Sequence, residues 1–459
     1  MVNFAKRSRN DLFRFSFFSL IFKNKRFVFW VRIISLLIFI GAILDGFLNP
    51  FETKNSFAVA IFWSFFWPFF MVVSLGAAGS VFCGICPHGF LGKYITKFGL
   101  KKQVPKIAQN PLIGLGFLII GYWLTLYIFP GVLKSPLISS LFFLFFTFVA
   151  LLSFFIFKDM SYCKYFCPIG SITSSFAKVS PTWLATYQNH CATCDDFACA
   201  KACPYHLSPF NFDKKGSMQE CKLCMECANA CEAVGFFATK PSRSLFKVNK
   251  SSKNSEIWTF ILIVWVASIS MILKNALGNS PIAPFLPWNI AAHKLTSEFG
   301  AFSFDVAGAI VLCLSFALVS IFSIANYLLA SKIHKIEFQA IFQIAGYSVA
   351  PLVIFGGMAQ TMPFFLTHYG PDTLNAIVAL FDQSLATFGP FVQKSNHILK
   401  IFAMLHFFGV FWGLKILKSR IRTVKTNINQ TALFWQLSAF HLFYLSMIIL
   451  TIVSFAAFK

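Results

Sequence analysis

The chain has 459 residues, 57% of them hydrophobic and only 12% charged, with a mean hydropathy of +0.70; an average soluble protein is about 45–50% apolar and about 25% charged. That composition excludes an ordinary soluble domain and intrinsic disorder. The 39 Lys+Arg against 16 Asp+Glu, a formal +23, would suit nucleic acid if they lined one face, but they fall in short clusters between long apolar runs, so no nucleic-acid partner is expected.

In chain order, a basic segment over 1–27 precedes the first apolar run, and no small-residue cleavage site follows it, so a cleavable signal peptide is not expected. A helix needs about 20 predominantly apolar residues to cross the hydrocarbon core. Nine stretches reach that length: 28–49, 56–82, 111–133, 137–157, 256–274, 305–329, 338–359, 397–417 and 433–456. With the amino terminus in the cytoplasm, segments 1–27, 83–110, 158–255, 330–337 and 415–430 lie inside and hold 31 of the Lys and Arg residues, against seven outside. The reverse orientation would violate the positive-inside rule. Arg32, at the inner end of the first span, is expected to snorkel to the interface.

The expected fold is an all-α polytopic membrane protein of about nine transmembrane helices, multi-pass in a bacterial cytoplasmic membrane, with its carboxyl terminus outside. Residues 28–175 form a four-helix membrane half and 256–459 a five-helix half. Between them, 176–255 is a small cytoplasmic α+β insert, too short for a large apolar core but adequate for a domain organised by metal clusters.

Twelve of the 13 cysteines lie between Cys83 and Cys231, and Cys313 stands apart. The run Cys221-x2-Cys224-x2-Cys227-x3-Cys231 has the bacterial ferredoxin spacing, in which three thiolates hold one cubane and the fourth reaches a second. Its partner is Cys191-x2-Cys194-x4-Cys199-x3-Cys203-Pro204. Crossed ligation assigns one [4Fe–4S] cluster to Cys191, Cys194, Cys199 and Cys231, and another to Cys221, Cys224, Cys227 and Cys203. Two structural zinc sites are the alternative, although zinc does not account for the trailing Cys-x3-Cys in both runs.

The first membrane half carries an internal repeat. Phe82-Cys83-Gly84-Ile85-Cys86-Pro87-His88-Gly89 closes the second span, and Tyr162-Cys163-Lys164-Tyr165-Phe166-Cys167-Pro168-Ile169-Gly170 closes the fourth. Duplication would set the two pairs face to face, so Cys83, Cys86, Cys163 and Cys167 are candidate ligands of a third [4Fe–4S] cluster; redox-active dithiols or buried small residues are the alternatives. The two Cys-Pro motifs and the double ferredoxin run together resemble the membrane polyferredoxins related to NapH, NosR and CcoG, over roughly residues 28–255. The resemblance implies electron transfer serving a respiratory reductase, or a maturation step for a metalloenzyme. The chain departs from it in the two-residue spacing of its first pair and in Glu232, where a proline often follows the ferredoxin run.

Polar side chains inside spans are costly and therefore functional candidates. His406 and His441, both about nine residues from a span end, could ligate a b-type haem, or could hydrogen-bond between helices. Met358, Met362 and His368 offer soft ligands for copper, with ordinary packing as the alternative, and His397 could assist a quinol site. His88, His190 and His206 adjoin cysteine motifs and could donate to cluster sulfurs, or simply sit at the surface. The function expected is an iron–sulfur electron-transfer protein in the lipid bilayer, relaying single electrons between a quinol or cytoplasmic donor and a membrane or extracytoplasmic acceptor. Its partners would be redox proteins or the quinone pool. A maturation factor that reduces a metal or thiol, or a transporter built on the last five helices, are the competing classes.

Overall fold

The computed structural model describes residues 7–52, 54–191, 194–212, 218, 220–240, 245–246, 253–424 and 428–457. Residues 1–6 of the basic segment, and 241–244 and 247–252 at the end of the insert, lie outside that description. The chain forms two compact units, one of Met1–Leu115, Ser139–Ser244 and Asn249–Ser251, the other of Gly116–Ile138, Leu245–Val248 and Ser252–Lys459.

Among the described residues, eight helices are long and apolar enough to cross a membrane: Lys25–Leu48, Phe57–Gly76, Pro136–Ile156, Asn254–Asn279, Val306–His334, Phe338–Ala379, Ile398–Ile421 and Ala439–Ala457. The expected count of about nine is corrected at the third stretch, where the helix covers only Leu112–Ile128. Phe129 leaves helical geometry, Pro130 follows it, and Gly131 takes a positive φ, so the apolar residues up to 133 belong to a turn. The seventh stretch errs the other way. Its helix continues past 359 to Ala379, because Pro363 is absorbed by a widened turn over Phe365–Tyr369 in which the Thr367 hydroxyl donates to the Pro363 carbonyl. Large apolar side chains such as Trp30, Leu37 and Leu44 point outward along the first span, which suits lipid and not water.

In the first unit, small residues let the spans approach: Ala42 and Ala58 are fully buried, and Phe62 stacks on Phe143 at 3.9 Å between ring centroids. Asp45 accepts from the Ala58 amide at 2.9 Å, and Trp63 Nε1 donates to Ser139 Oγ at 2.8 Å, so polar groups in the spans are satisfied across helices.

The insert contains a two-stranded antiparallel sheet, β1 (Thr182–Thr186) and β2 (Val234–Ala238), with Leu184 opposite Phe236. The basic amino-terminal segment joins this sheet and does not stand apart. Asp11 bridges to Phe237, and Phe13 enters a core with Leu184, Phe212, Met225, Val234 and Phe236. The Asp11 carboxylate is fully buried and accepts from Arg7, from Tyr187 Oη at 2.8 Å and from the Phe13 and Phe236 amides. One acidic residue in a basic stretch therefore fastens the segment to the insert.

In the second unit, Leu112–Ile128 packs against later helices from Gly116 onward. Tyr127 Oη donates to the Val266 carbonyl at 3.1 Å, and Lys274 Nζ donates to the Tyr127 carbonyl at 2.8 Å while pairing with Asp305 at 2.7 Å. Gly308 is required there, since a Cβ would overlap the Tyr127 carbonyl. Arg420 is buried with its guanidinium over the Tyr347 ring, donating to the Leu245 and Gln343 carbonyls, and Tyr347 Oη donates to Glu256. Buried charges are thus neutralised or capped at the span ends.

Candidate functional site

The two Cys-Pro motifs fold alike. Cys86 and Cys167 are each extended residues directly before a helix, Pro87–Phe98 and Pro168–Phe176, whose first residue is the proline. Proline suits that position because its missing N–H has no helical partner there, and the helix amides that follow are free to point at the sulfur. The Gly170 amide donates to Cys167 Sγ at 3.3 Å, and the amides of His88 and Gly89 serve Cys86 in the same way. The third residue after each of these cysteines is glycine, and only at Gly170 is the reason steric. A Cβ on Gly170 would overlap the Cys163 carbonyl, and one on Gly89 would stand 3.4 Å from the Cys83 carbonyl.

All four membrane-proximal thiols converge. Burial pushes Cys86 up to about 12, with the charge of Cys167 and Cys83 adding to it against the pull of the Gly89 and His88 amides. Cys167 is pushed up to about 11 by burial and then by Cys83, and Cys163 is raised further by burial and by Cys167, Cys86 and Cys83. The insert cysteines also lie within electrostatic reach of one another, Cys227 of Cys199 included. Cys199 rises to about 11 through burial and the charges of Cys231 and Cys191, with Cys194 also contributing. Cys224 rises to about 12 through burial and, against the Glu226 amide, through Cys203; Cys227 is raised by burial, Cys221, Cys224 and Cys203. Burial and mutual repulsion disfavour the thiolate at Cys86, Cys163, Cys167, Cys199, Cys224 and Cys227, and a bound polycation would reverse that.

The donor set fits an iron–sulfur cubane. Cys203, Cys221, Cys224 and Cys227 line one small cavity, with Tyr205 and Lys222 in its wall. Among the described residues, no three His, Cys, Asp or Glu side chains are drawn together as ligands of a single metal ion. The loop keeps its shape through two residues in left-handed geometry, Leu223 (φ 47°) and Met225 (φ 60°), each of which costs about 1–2 kcal/mol for a side chain with a Cβ. That curl directs the Leu223 amide to Cys221 and the Glu226 amide to Cys224.

Sequence reasoning missed the residues that join insert and spans. Arg32 does not snorkel: it is 8% exposed, and donates to Glu226 at 2.8 Å, to the Cys224 carbonyl at 2.8 Å and to the Gly84 carbonyl at 3.0 Å. Lys93 pairs with the same Glu226 carboxylate at 2.7 Å. Burial would raise Glu226, but the hydrogen bonds and charge of Lys93 and Arg32 overcome it and hold the carboxyl below its usual range. A charge inside a span was the available signal for Arg32; nothing in the sequence marked Glu226 or Tyr205. Tyr205 is buried, hydrogen-bonds Cys163, and lies within electrostatic reach of Cys224 and Cys83, so it stands between two cysteine sets.

The histidines go elsewhere. His88 Nε2 meets Thr147 Oγ1 at 2.9 Å, His206 pairs with Asp159 at 2.9 Å, and His190 and His397 are exposed. His406 Nδ1 meets Tyr444 Oη at 2.7 Å, and His441 Nε2 donates to the Ser348 carbonyl at 3.1 Å. Gly356 and Gly413 admit these rings: a Cβ on Gly413 would stand 2.7 Å from His441 Nε2. Both imidazoles thus make interhelical hydrogen bonds in a closely packed interface. His368 Nδ1 meets Thr367 Oγ1 at 2.7 Å and its ring lies tilted on Phe364, while Met358 and Met362 are half-buried in the same helix.

Comparison with known proteins agrees with the cysteine geometry. A family model described as a 4Fe-4S binding domain matches residues 59–105 and 140–185, each a span followed by a cysteine pair, Cys83/Cys86 or Cys163/Cys167, and the helix after it. Its helices and this domain define a multi-pass membrane iron–sulfur protein. The chain belongs to the family of the uncharacterized protein MJ0750 of Methanocaldococcus jannaschii, with 30% identity over 187 residues, 36% of this chain and 75% of that one. A second protein of that organism, uncharacterized protein MJ0749, is 30% identical over 175 residues, which cover 35% of this chain and 65% of its own length. No solved structure matches the chain.

Proposed function

We propose that the chain is an integral-membrane electron relay with three [4Fe–4S] sites, related to the NapH, NosR and CcoG polyferredoxins. The sites are Cys191/Cys194/Cys199/Cys231, Cys203/Cys221/Cys224/Cys227 and Cys83/Cys86/Cys163/Cys167. The observation that carries the reading is their contiguity. Cys227 feels Cys199 of the first set, and Tyr205 reaches both Cys224 of the second and Cys163 of the third. Each cluster, when bound, supplies one-electron redox chemistry.

The protein's own residues do the rest. Backbone amides of the Cys-Pro helices and of the Leu223–Met225 loop donate to cysteine sulfurs, Arg32 and Lys93 clamp Glu226 beside Cys224, and the Tyr205 and Leu207 side chains exclude water between the sets. The distribution of basic residues supports a cytoplasmic insert; the reading includes a quinol or cytoplasmic donor and a membrane or extracytoplasmic acceptor. Anaerobic purification tests this: three sites predict about 12 iron and about 12 labile sulfide per chain, and two sites about 8 of each. Zinc without sulfide would reject it.

A further inference from the structure

The ammonium of Lys222 is buried to 1% exposure beside two of the cysteine sets. Lys222 follows Cys221 in the chain, and its Nζ donates to the Gly170 carbonyl at 2.6 Å, to Ser174 Oγ at 2.6 Å and to Thr173 Oγ1 at 3.3 Å. Three acceptors match the three N–H bonds of an ammonium, so its hydrogen bonds are complete. Its charge is not: all three partners are neutral, and among the described residues no carboxylate pairs with it. A cation buried this deeply is costly unless opposite charge lies close by.

The groups around it indicate where that charge would be. Gly170 is the residue whose amide donates to Cys167 Sγ, and Thr173 Oγ1 lies 3.5 Å from Cys83 Sγ. Lys222 also lines, with Cys203, Cys221, Cys224 and Cys227, one small cavity. Four thiolates outweigh the charge of a cubane core, so each loaded set is anionic, and one-electron reduction adds one more negative charge.

We propose that Lys222 is the shared counter-cation of the Cys203/Cys221/Cys224/Cys227 and Cys83/Cys86/Cys163/Cys167 sets, raising the reduction potential of both. The proposal rests on reading those cysteines as cluster ligands. Lys222 acts through the field and through Thr173, without touching iron, and is therefore a positioning residue. Its effect is larger at the membrane-proximal set, because two of its three acceptors, Gly170 and Thr173, also contact sulfurs of that set. Burial keeps salt from screening it.

The test is an anaerobic redox titration of the full chain in detergent, followed by paramagnetic resonance, with iron and sulfide counted in every sample. Lys222→Gln is expected to lower both potentials, changing the equilibrium constant for reduction at least tenfold, which is about 59 mV for one electron. Lys222→Arg, which keeps the charge, should stay near the wild type. Thr173→Val should lower the membrane-proximal potential alone. Unchanged potentials in Lys222→Gln at full iron loading would overturn the role of Lys222. If that variant cannot be purified, an unchanged membrane-proximal potential in Thr173→Val overturns it instead. Wild-type protein without iron and sulfide would overturn the reading of the cysteines, a separate failure.

Discussion

Replacing Arg32 by Met should loosen the insert from the first span while leaving the hydrophobic length of that span intact. The guanidinium makes one charge-assisted bond to Glu226 at 2.8 Å and two to the carbonyls of Cys224 and Gly84. Hydrogen bonds to charged groups contribute about 1.5–3 kcal/mol each, and removing one partner of a buried pair costs about 3–5 kcal/mol. Glu226 keeps Lys93 at 2.7 Å and is one-fifth exposed, so its carboxylate is not stranded, and the lower end applies. About 3 kcal/mol of local stability corresponds to roughly a hundredfold rise in exchange of protected amides. Hydrogen exchange read by mass spectrometry on the purified protein should show that rise in peptides covering 83–86 and 224–230, and no change in 398–421. Exchange at wild-type rates around Cys224 would refute the clamp and return Arg32 to a snorkelling role. Arg32→Lys should recover only part of the loss, because one ammonium cannot hold the planar fork to three acceptors.

The glycines of the repeat predict an asymmetry. Gly170→Ala should drive the Cys163 carbonyl away and remove about four of about 12 iron atoms per chain, whereas Gly89→Ala, whose nearest contact is 3.4 Å, should keep them; equal iron in both variants would contradict the steric argument. Asp11→Ala strands the Phe236 amide and Tyr187 Oη and should cost about 3 kcal/mol, seen as faster proteolysis near residue 14; unaltered cleavage would show that the amino-terminal segment is held by other contacts. Gly413→Val should press on His441 and Ser348 and lower the unfolding temperature in detergent while leaving iron content unchanged; loss of iron would point to coupling between the two histidine helices and the cysteine sets.

The repeated Cys-Pro-x-Gly of Cys86 and Cys167 was legible because it is written in local spacing: it depends on residues a few positions apart, where a helix start sets the geometry. Span positions were legible for the same reason, since twenty apolar residues in lipid have few options but a helix. The span at 111–133 was overestimated because hydropathy does not distinguish helix from an apolar turn around Phe129 and Gly131. The helix from Phe338 runs past 359 because a wider turn over Phe365–Tyr369 accommodates Pro363.

By itself, then, the sequence determined that this is an apolar, basic, multi-pass chain with twelve cysteines in metal-binding patterns. Which cysteines meet, and what surrounds them, was decided by tertiary structure. Arg32 finds Cys224 and Glu226 across 192 and 194 positions, and Lys222 finds Gly170 across 52, separations at which no periodicity survives. Hydropathy also misassigns such charges, since it counts a buried cation as an exposed one. Only packing reveals that Lys222 is enclosed by neutral acceptors, and that Asp11 anchors a basic segment to a sheet.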